Sequence, residues 1–172
     1  LGPLCNPARA EANAVGAAHA DRVPLITGVF RTRGATALVF RGDDGLDELT
    51  TTGHSRLWEI SRGDVHEHDL DPRDLGIPLA DIDDLLGGDA AHNAGVVHRV
   101  LDGQRGAVRD IVLLNAAAGI VSYELFQDAA QVQHPIVERL AAARDRAAAA
   151  IDSGAAAGVL ARWVETTSSS VA

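Results

Sequence analysis

The sequence predicts an α/β fold in which helices flank a sheet. A helical pattern at residues 20–33 runs directly into a short apolar segment at residues 35–40, and this succession is half of a βαβ unit. Two strand patterns then follow as a hairpin, and helical patterns occupy the chain after residue 88. With 172 residues, the chain is long enough for one domain with a buried core.

The first part of the chain is expected to supply the centre of the sheet. Residues 11–16 predict a short strand, and the helix at 20–33 places apolar residues on one face and ends at Gly34. The segment 35–40 is almost wholly apolar, which is typical of a strand buried on both faces of a parallel sheet. We therefore expect residues 35–40 to form an inner, parallel strand, with the loop at 42–49 at its carboxyl end.

The remaining elements are a hairpin and a series of helices. Strands at 55–61 and 65–70 are joined by Arg62-Gly63-Asp64, a sequence that favours a tight turn. Glycine and proline divide the later part into helices near 89–102, near 106–121, from Pro135 to Asp152, and near 155–165. The small polar residues 166–172 are expected to be a frayed tail of a single domain, residues 1–172.

Composition and charge argue against several classes of function. The net charge is −9 and all 15 basic residues are arginines, a balance that does not favour nucleic-acid binding. The apolar stretches are far shorter than a membrane span and no signal-peptide pattern is visible, so we expect a cytoplasmic protein without membrane contact. Cys5 is the only cysteine and is expected to be a small buried residue. Because the sequence lacks methionine and opens on a loop-like segment, we expect it to be part of a longer protein.

Residues 42–48 are the segment most suggestive of chemistry. They hold four carboxylates, Asp43, Asp44, Asp47 and Glu48, directly after the predicted inner strand. Ligands of open α/β sheets bind beyond the carboxyl ends of strands, and the glycines of this loop let the backbone turn sharply. Carboxylate oxygens suit Mg2+, which commonly also contacts substrate phosphates. A solvated acidic turn fits the same spacing, so spacing alone leaves both interpretations open.

Several segments of the chain resemble anthranilate phosphoribosyltransferases, in the same order and at similar intervals. The opening segment, residues 1–9, is close to the family's Leu-Gly-Pro-Leu-Thr-Asn-Pro-Ala stretch, and residues 42–49, here called the acidic loop, resemble its Gly-x-x-Gly-Leu-Asp-Glu-Leu segment. The matching segments are residues 1–9, 42–49, 86–89 with Asn93, 112–117 and 152–155. The resemblance covers essentially the whole chain. It implies the carboxyl-terminal part of a nucleoside phosphorylase/phosphoribosyltransferase-like large α/β domain, with a partial, parallel-rich sheet and without the amino-terminal part.

The resemblance also implies an activity and a set of binding residues. Family members transfer the phosphoribosyl group of phosphoribosyl pyrophosphate to the amine of anthranilate in tryptophan biosynthesis, and they release pyrophosphate. By the family's pattern, Asp47 and Glu48 bind the Mg2+ that accompanies phosphoribosyl pyrophosphate, and Gly2 and Pro3 border the anthranilate site. No covalent nucleophile is expected, and the complete protein is expected to be a homodimer.

Parts of the chain depart from the family's pattern. Arg41 stands where family members often carry histidine or tyrosine, and it could pair with Asp43 or Asp44. The family's pyrophosphate-binding Gly-Thr-Gly-Gly-Asp loop has no counterpart in these residues, so this chain alone is expected to be inactive. The segment 87–89 is not a substitute for that loop, because it resembles a second, downstream motif of the family. Its plain interpretation is a turn in which Asp89 caps the next helix.

Three alternatives remain open. A non-enzymatic relative of the same fold could bind nucleic acid, although the acidic balance and the intact Asp47–Glu48 pair argue against it. A pyrimidine nucleoside phosphorylase-like enzyme has a related fold, but the opening segment and the acidic loop resemble the anthranilate enzyme more. The chain could also be an inactive remnant of such an enzyme.

Overall fold

The structure, a computed structural model, describes residues 2–169 as a four-stranded sheet with helices on both faces. The strands are β1 (Ala12–Gly16), β2 (Thr36–Gly42), β3 (Ser55–Ser61) and β4 (Asp64–Leu70). The α-helices are α1 (Val23–Arg33), α2 (Ala90–Leu101), α3 (Ala107–Gln127), α4 (Ile136–Asp152) and α5 (Ala155–Ser169). Within the described residues, no helix is both long and apolar enough to cross a lipid bilayer.

The strand order in the sheet is β1-β2-β3-β4. β1 and β2 are parallel, with Ala12 opposite Thr36 and Gly16 opposite Phe40, whereas β3 is antiparallel to both β2 and β4. The inner position of strand 35–40 is confirmed, as is the sheet flanked by helices. The sheet is mixed and not parallel-rich, because the chain after β2 returns as a hairpin and adds two antiparallel pairs to the single parallel pair.

The predicted hairpin is formed by β3 and β4. Ser61 pairs with Asp64 across a two-residue turn. Both turn residues, Arg62 and Gly63, have positive φ, at 52° and 85°. This is the backbone of a type I′ turn, whose twist matches that of the strands it joins, so the turn fixes the register of the hairpin.

The inner strand β2 is buried on both faces. Leu38 and Phe40 belong to a core that includes residues of α3 and α4, and Ala37 and Val39 belong to a second core beneath α1. The alternation follows from the two-residue period of a strand. Because neighbouring strands and helices enclose it, β2 is a firm support for the loop at its carboxyl end.

The helix ends follow local sequence signals in most places. α1 ends at Gly34, whose φ of 66° is the left-handed conformation typical of a helix terminus. Asp89 caps α2 as expected, because its side chain accepts a hydrogen bond from the His92 amide at 2.8 Å. Residues 166–169 continue α5, where a frayed tail was expected. Residues 170–172 of that expected tail lie outside the described part.

Candidate functional site

The acidic loop follows the carboxyl end of β2, as the sequence predicts, and the whole connection from β2 to β3 spans residues 43–54. Asp44 folds this loop onto itself. Its carboxylate accepts the Leu46 amide at 3.0 Å and the hydroxyls of Thr50 and Thr52, both at 2.6 Å. Burial acts to raise the pKa of Asp44, but these hydrogen bonds outweigh it and hold the pKa below its usual value. Asp44 therefore shapes the loop, and its carboxylate is already engaged.

Asp47 and Glu48 are adjacent and exposed. Partial burial and the neighbouring negative charge of Asp47 raise the pKa of Glu48, so a cation near the pair would relieve an unfavourable interaction. Among residues 2–169, no cluster of three or more histidine, cysteine or acidic side chains is arranged to hold a metal by itself. Mg2+ is often held by one or two carboxylates together with substrate phosphates. The exposed pair fits such a shared ion, and it does not fit a closed protein cage.

The backbone directly after the Asp47–Glu48 pair is bound to α3. Leu49, directly after Glu48, has a fully buried side chain in the core between the sheet and α3. The carboxamide of Asn115 binds both backbone groups of Leu49, accepting from its amide at 2.9 Å and donating to its carbonyl at 2.8 Å. Sequence reasoning gave Asn115 no role. Its segment, 112–117, was one of those that resembled the family, but nothing in the sequence identified its partner.

Two further contacts tie the loop to the end of β1. The Asp47 carbonyl approaches Gly16 so closely that a Cβ at Gly16 would lie 1.5 Å from its oxygen. The Arg41 guanidinium donates to the carbonyls of Ala17 and Gly45, both at 3.1 Å. The sequence left open a pairing of Arg41 with an aspartate of the loop, but the structure places the guanidinium on backbone carbonyls. Arg41 thus links the acidic loop to the segment that leaves β1.

The other predicted site residues lie elsewhere. Gly2 and Pro3 belong to a 3-10 turn, Gly2–Cys5, and the side chain of Pro3 lies outside the described part. This turn is held at the amino-terminal end of β2, because the Leu4 carbonyl accepts the guanidinium of Arg33 at 2.8 Å. The acidic loop lies beyond the opposite end of the same strands. β1, about 13 Å from its first Cα to its last at 3.3 Å per residue, lies between these two ends.

A cavity of about 780 Å3 opens beside the Gly2–Cys5 turn. Its polar lining includes Cys5, Arg9, Glu11, Asn13 and Arg33. Cys5 is exposed, so its expected burial is wrong. The neighbouring Leu4 takes the buried position of this short turn. The cavity is at the amino-terminal end of the parallel strands, and Asp47 and Glu48 do not line it.

The comparison with known families decides what kind of domain this is. A sequence model described as "Glycosyl transferase family, a/b domain" matches residues 1–157. The chain belongs to this glycosyl transferase family. Among members with curated names, the chain is 70% identical over 167 residues to the anthranilate phosphoribosyltransferase of Leifsonia xyli subsp. xyli. That alignment covers 97% of this chain and 48% of the relative.

Solved structures show the same glycosyl transferase fold. Anthranilate phosphoribosyltransferase from Thermus thermophilus is similar with a TM-score of 0.77 and 31% identity, over 95% of this chain and 45% of that one. The Saccharomyces cerevisiae enzyme, solved in complex with PRPP and Mg, is similar in fold with a TM-score of 0.80 and 23% identity. That match covers 98% of this chain and 46% of the yeast chain. The chain therefore spans about half the length of the relatives it matches.

Proposed function

We propose that the complete protein carrying this chain is an anthranilate phosphoribosyltransferase of tryptophan biosynthesis. It transfers the phosphoribosyl group of phosphoribosyl pyrophosphate to the amine of anthranilate and releases pyrophosphate. The observation that carries the proposal is the 70% identity to the Leifsonia enzyme over 97% of this chain. The exposed Asp47–Glu48 pair at the carboxyl end of β2 supports it, because that edge is where α/β sheets bind ligands.

In this proposal Asp47 and Glu48 hold a Mg2+ ion. When bound, Mg2+ supplies neutralisation of the negative charge that grows on the leaving pyrophosphate. Other residues of this chain hold the acidic loop in position. Asp44 keeps the loop folded, Leu49 fixes it to the core, and Arg41 joins it to the end of β1.

Gly2 and Pro3 are proposed to border the anthranilate site, and this assignment is independent of the metal assignment. They lie near the opposite end of β1 from the acidic loop. A homodimer and a cytoplasmic location also belong to the proposal, and both rest on the resemblance to the anthranilate enzymes. Because the two assignments concern different parts of the fold, each needs its own test.

The experiment is an assay of the complete protein with anthranilate, phosphoribosyl pyrophosphate and Mg2+, which follows the loss of anthranilate fluorescence. Turnover that depends on Mg2+ and stops on chelation is expected. A parallel assay with uridine or thymidine and inorganic phosphate tests the pyrimidine nucleoside phosphorylase alternative. Phosphorolysis of a nucleoside without consumption of anthranilate would replace the proposed function.

A further inference from the structure

We propose that Asn115 is a positioning residue, which holds the Asp47–Glu48 pair in the arrangement that its metal ion requires. The inference rests on the proposed function, because it takes this pair to be the protein's contact with Mg2+. Asn115 lies on α3, and α3 packs against β1 and β2. A side chain on a packed helix is a more rigid support than one on the loop itself.

The carboxamide of Asn115 forms hydrogen bonds with both backbone polar groups of Leu49. Its oxygen accepts the Leu49 amide at 2.9 Å, and its nitrogen donates to the Leu49 carbonyl at 2.8 Å. The same nitrogen donates to the Ile111 carbonyl at 3.0 Å, one helical turn back. This last bond fixes the orientation of the amide plane, because a carboxamide nitrogen has only two hydrogens to donate.

The contact with Glu48 is of a different kind. The Asn115 nitrogen lies 3.5 Å from a carboxylate oxygen of Glu48, at the limit of a hydrogen bond. Both of its hydrogens are directed to the Leu49 and Ile111 carbonyls. Asn115 therefore fixes the backbone next to Glu48 and leaves the carboxylate free to contact a cation.

The arrangement matters because a mobile loop must become ordered when its carboxylates bind the ion. The entropy lost in that ordering weakens the affinity of the site for the metal. Groups that orient metal ligands without touching the metal typically change metal affinity or activity by about 10- to 100-fold when removed. The expected effect of removing the Asn115 carboxamide is thus weaker metal binding, with the ligands themselves unchanged.

The chain offers a matched control in Asn93. This asparagine on α2 makes the same two kinds of bond to Gly88, accepting from its amide at 2.8 Å and donating to its carbonyl at 3.0 Å. Gly88 is not adjacent to the proposed metal-binding carboxylates. Asn93→Ala therefore removes an equivalent clasp between a helix and a loop without touching the acidic loop.

The test compares wild type, Asn115→Ala and Asn93→Ala in the complete protein. Three quantities are measured: thermal melting without metal, the apparent KM for Mg2+ at saturating organic substrates, and Mn2+ affinity by EPR with phosphoribosyl pyrophosphate present. For Asn115→Ala we expect the KM for Mg2+ and the Kd for Mn2+ to rise by about 10-fold. We expect kcat at saturating Mg2+ to change much less. Asn93→Ala should change melting alone.

A fall in melting temperature with wild-type Mn2+ affinity in Asn115→Ala would show a purely structural role and overturn the inference. If that variant does not fold, Asn115→Ser replaces it, because a serine hydroxyl can bond to the Ile111 carbonyl as Thr27 does to Val23 but is too short to clasp Leu49. Wild type that binds Mn2+ without anthranilate turnover would refute the proposed function alone. A wild-type protein that neither binds Mn2+ nor consumes anthranilate would overturn both the inference and the proposed function.

Discussion

The carbonyl oxygen of Asp47 lies against Gly16, where an added Cβ would meet it at 1.5 Å. A separation this short is far inside van der Waals contact, and the blocking atom belongs to backbone. The acidic loop can therefore occupy its position only because residue 16 has no side chain.

Gly16→Ala should displace the loop and weaken Mg2+-dependent turnover in the complete protein. Because an added methyl in a closely packed place costs about 1–3 kcal/mol, we also expect a lower free energy of unfolding. Denaturant unfolding and a Mg2+ titration of initial rates measure the two effects. The control is Gly119→Ala in α3, where a Cβ meets nothing within 4 Å. Equal behaviour of the two variants would contradict the steric argument.

Replacement of both Asp47 and Glu48 with alanine should abolish most of the turnover of the complete protein. Stability should change by less than about 0.5 kcal/mol, because both side chains are exposed. Parallel measurements of turnover and denaturant unfolding check this separation. Asp83→Ala, at another exposed carboxylate, serves as the control. Full Mg2+-dependent activity in the double variant would remove both residues from the proposed metal site.

The fully buried Glu59 should make stability depend on pH. Burial acts to raise its pKa, but hydrogen bonds from His68 and Arg139 outweigh burial and lower the pKa. A lowered folded-state pKa means that the stabilisation is present above the unfolded value, about 4.3, and is lost as pH falls through the folded value. Arg139 donates to both oxygens of Glu59, at 2.6 and 2.9 Å, so Glu59→Gln leaves a buried cation without its partner.

We expect Glu59→Gln to destabilise the protein by about 3 kcal/mol near neutral pH. The difference from wild type should shrink as the pH falls below the unfolded value of about 4.3 and toward the lower pKa of the folded carboxyl, because protonation removes the charge that Arg139 faces. Denaturant unfolding of both proteins at a series of pH values measures this difference in stability. Glu67→Gln is the control, because Glu67 forms an exposed ion pair with Arg56. A difference independent of pH would show that charge is not what Glu59 contributes.

The chain of residues 1–172 should show no anthranilate phosphoribosyltransferase activity by itself. Asp47 and Glu48 are two exposed carboxylates, and Mg2+ gives up its water reluctantly without a phosphate as a further ligand. The fluorescence assay with phosphoribosyl pyrophosphate and Mg2+ checks this. The complete protein, assayed at equal concentration, is the reference. Clear turnover by the isolated chain would show that these residues contain the whole phosphate site.

The sequence predicted the features of the fold that are determined by residues close together in the chain. The apolar run of β2 and the acidic loop after it were identified from short patterns, and both occur as expected. The partners of Leu49 and Glu59 were not identified, because Asn115 lies 66 residues from Leu49 and Arg139 lies 80 residues from Glu59. A single sequence carries no periodic signal for such contacts.

The end of α5 was missed for another reason. Its last turns are rich in threonine and serine, which favour caps and turns more than helix interiors. In the structure their hydroxyls donate to carbonyls one turn back, as Thr167 does to Trp163 at 2.9 Å and Ser169 to Glu165 at 2.8 Å. These bonds occupy side chains that would otherwise compete with the helix.

The clasp between Asn115 and Leu49 also has a consequence for the order of folding. Closing 66 residues into one contact costs more chain entropy than forming the hairpin of β3 and β4, whose turn has two residues. We expect the hairpin to form early and the acidic loop to settle only when α3 docks. In pulse-labelling hydrogen exchange the Leu49 amide should gain protection later than the hairpin amides. A newly made chain would then acquire the geometry of its proposed metal site among the last events of folding.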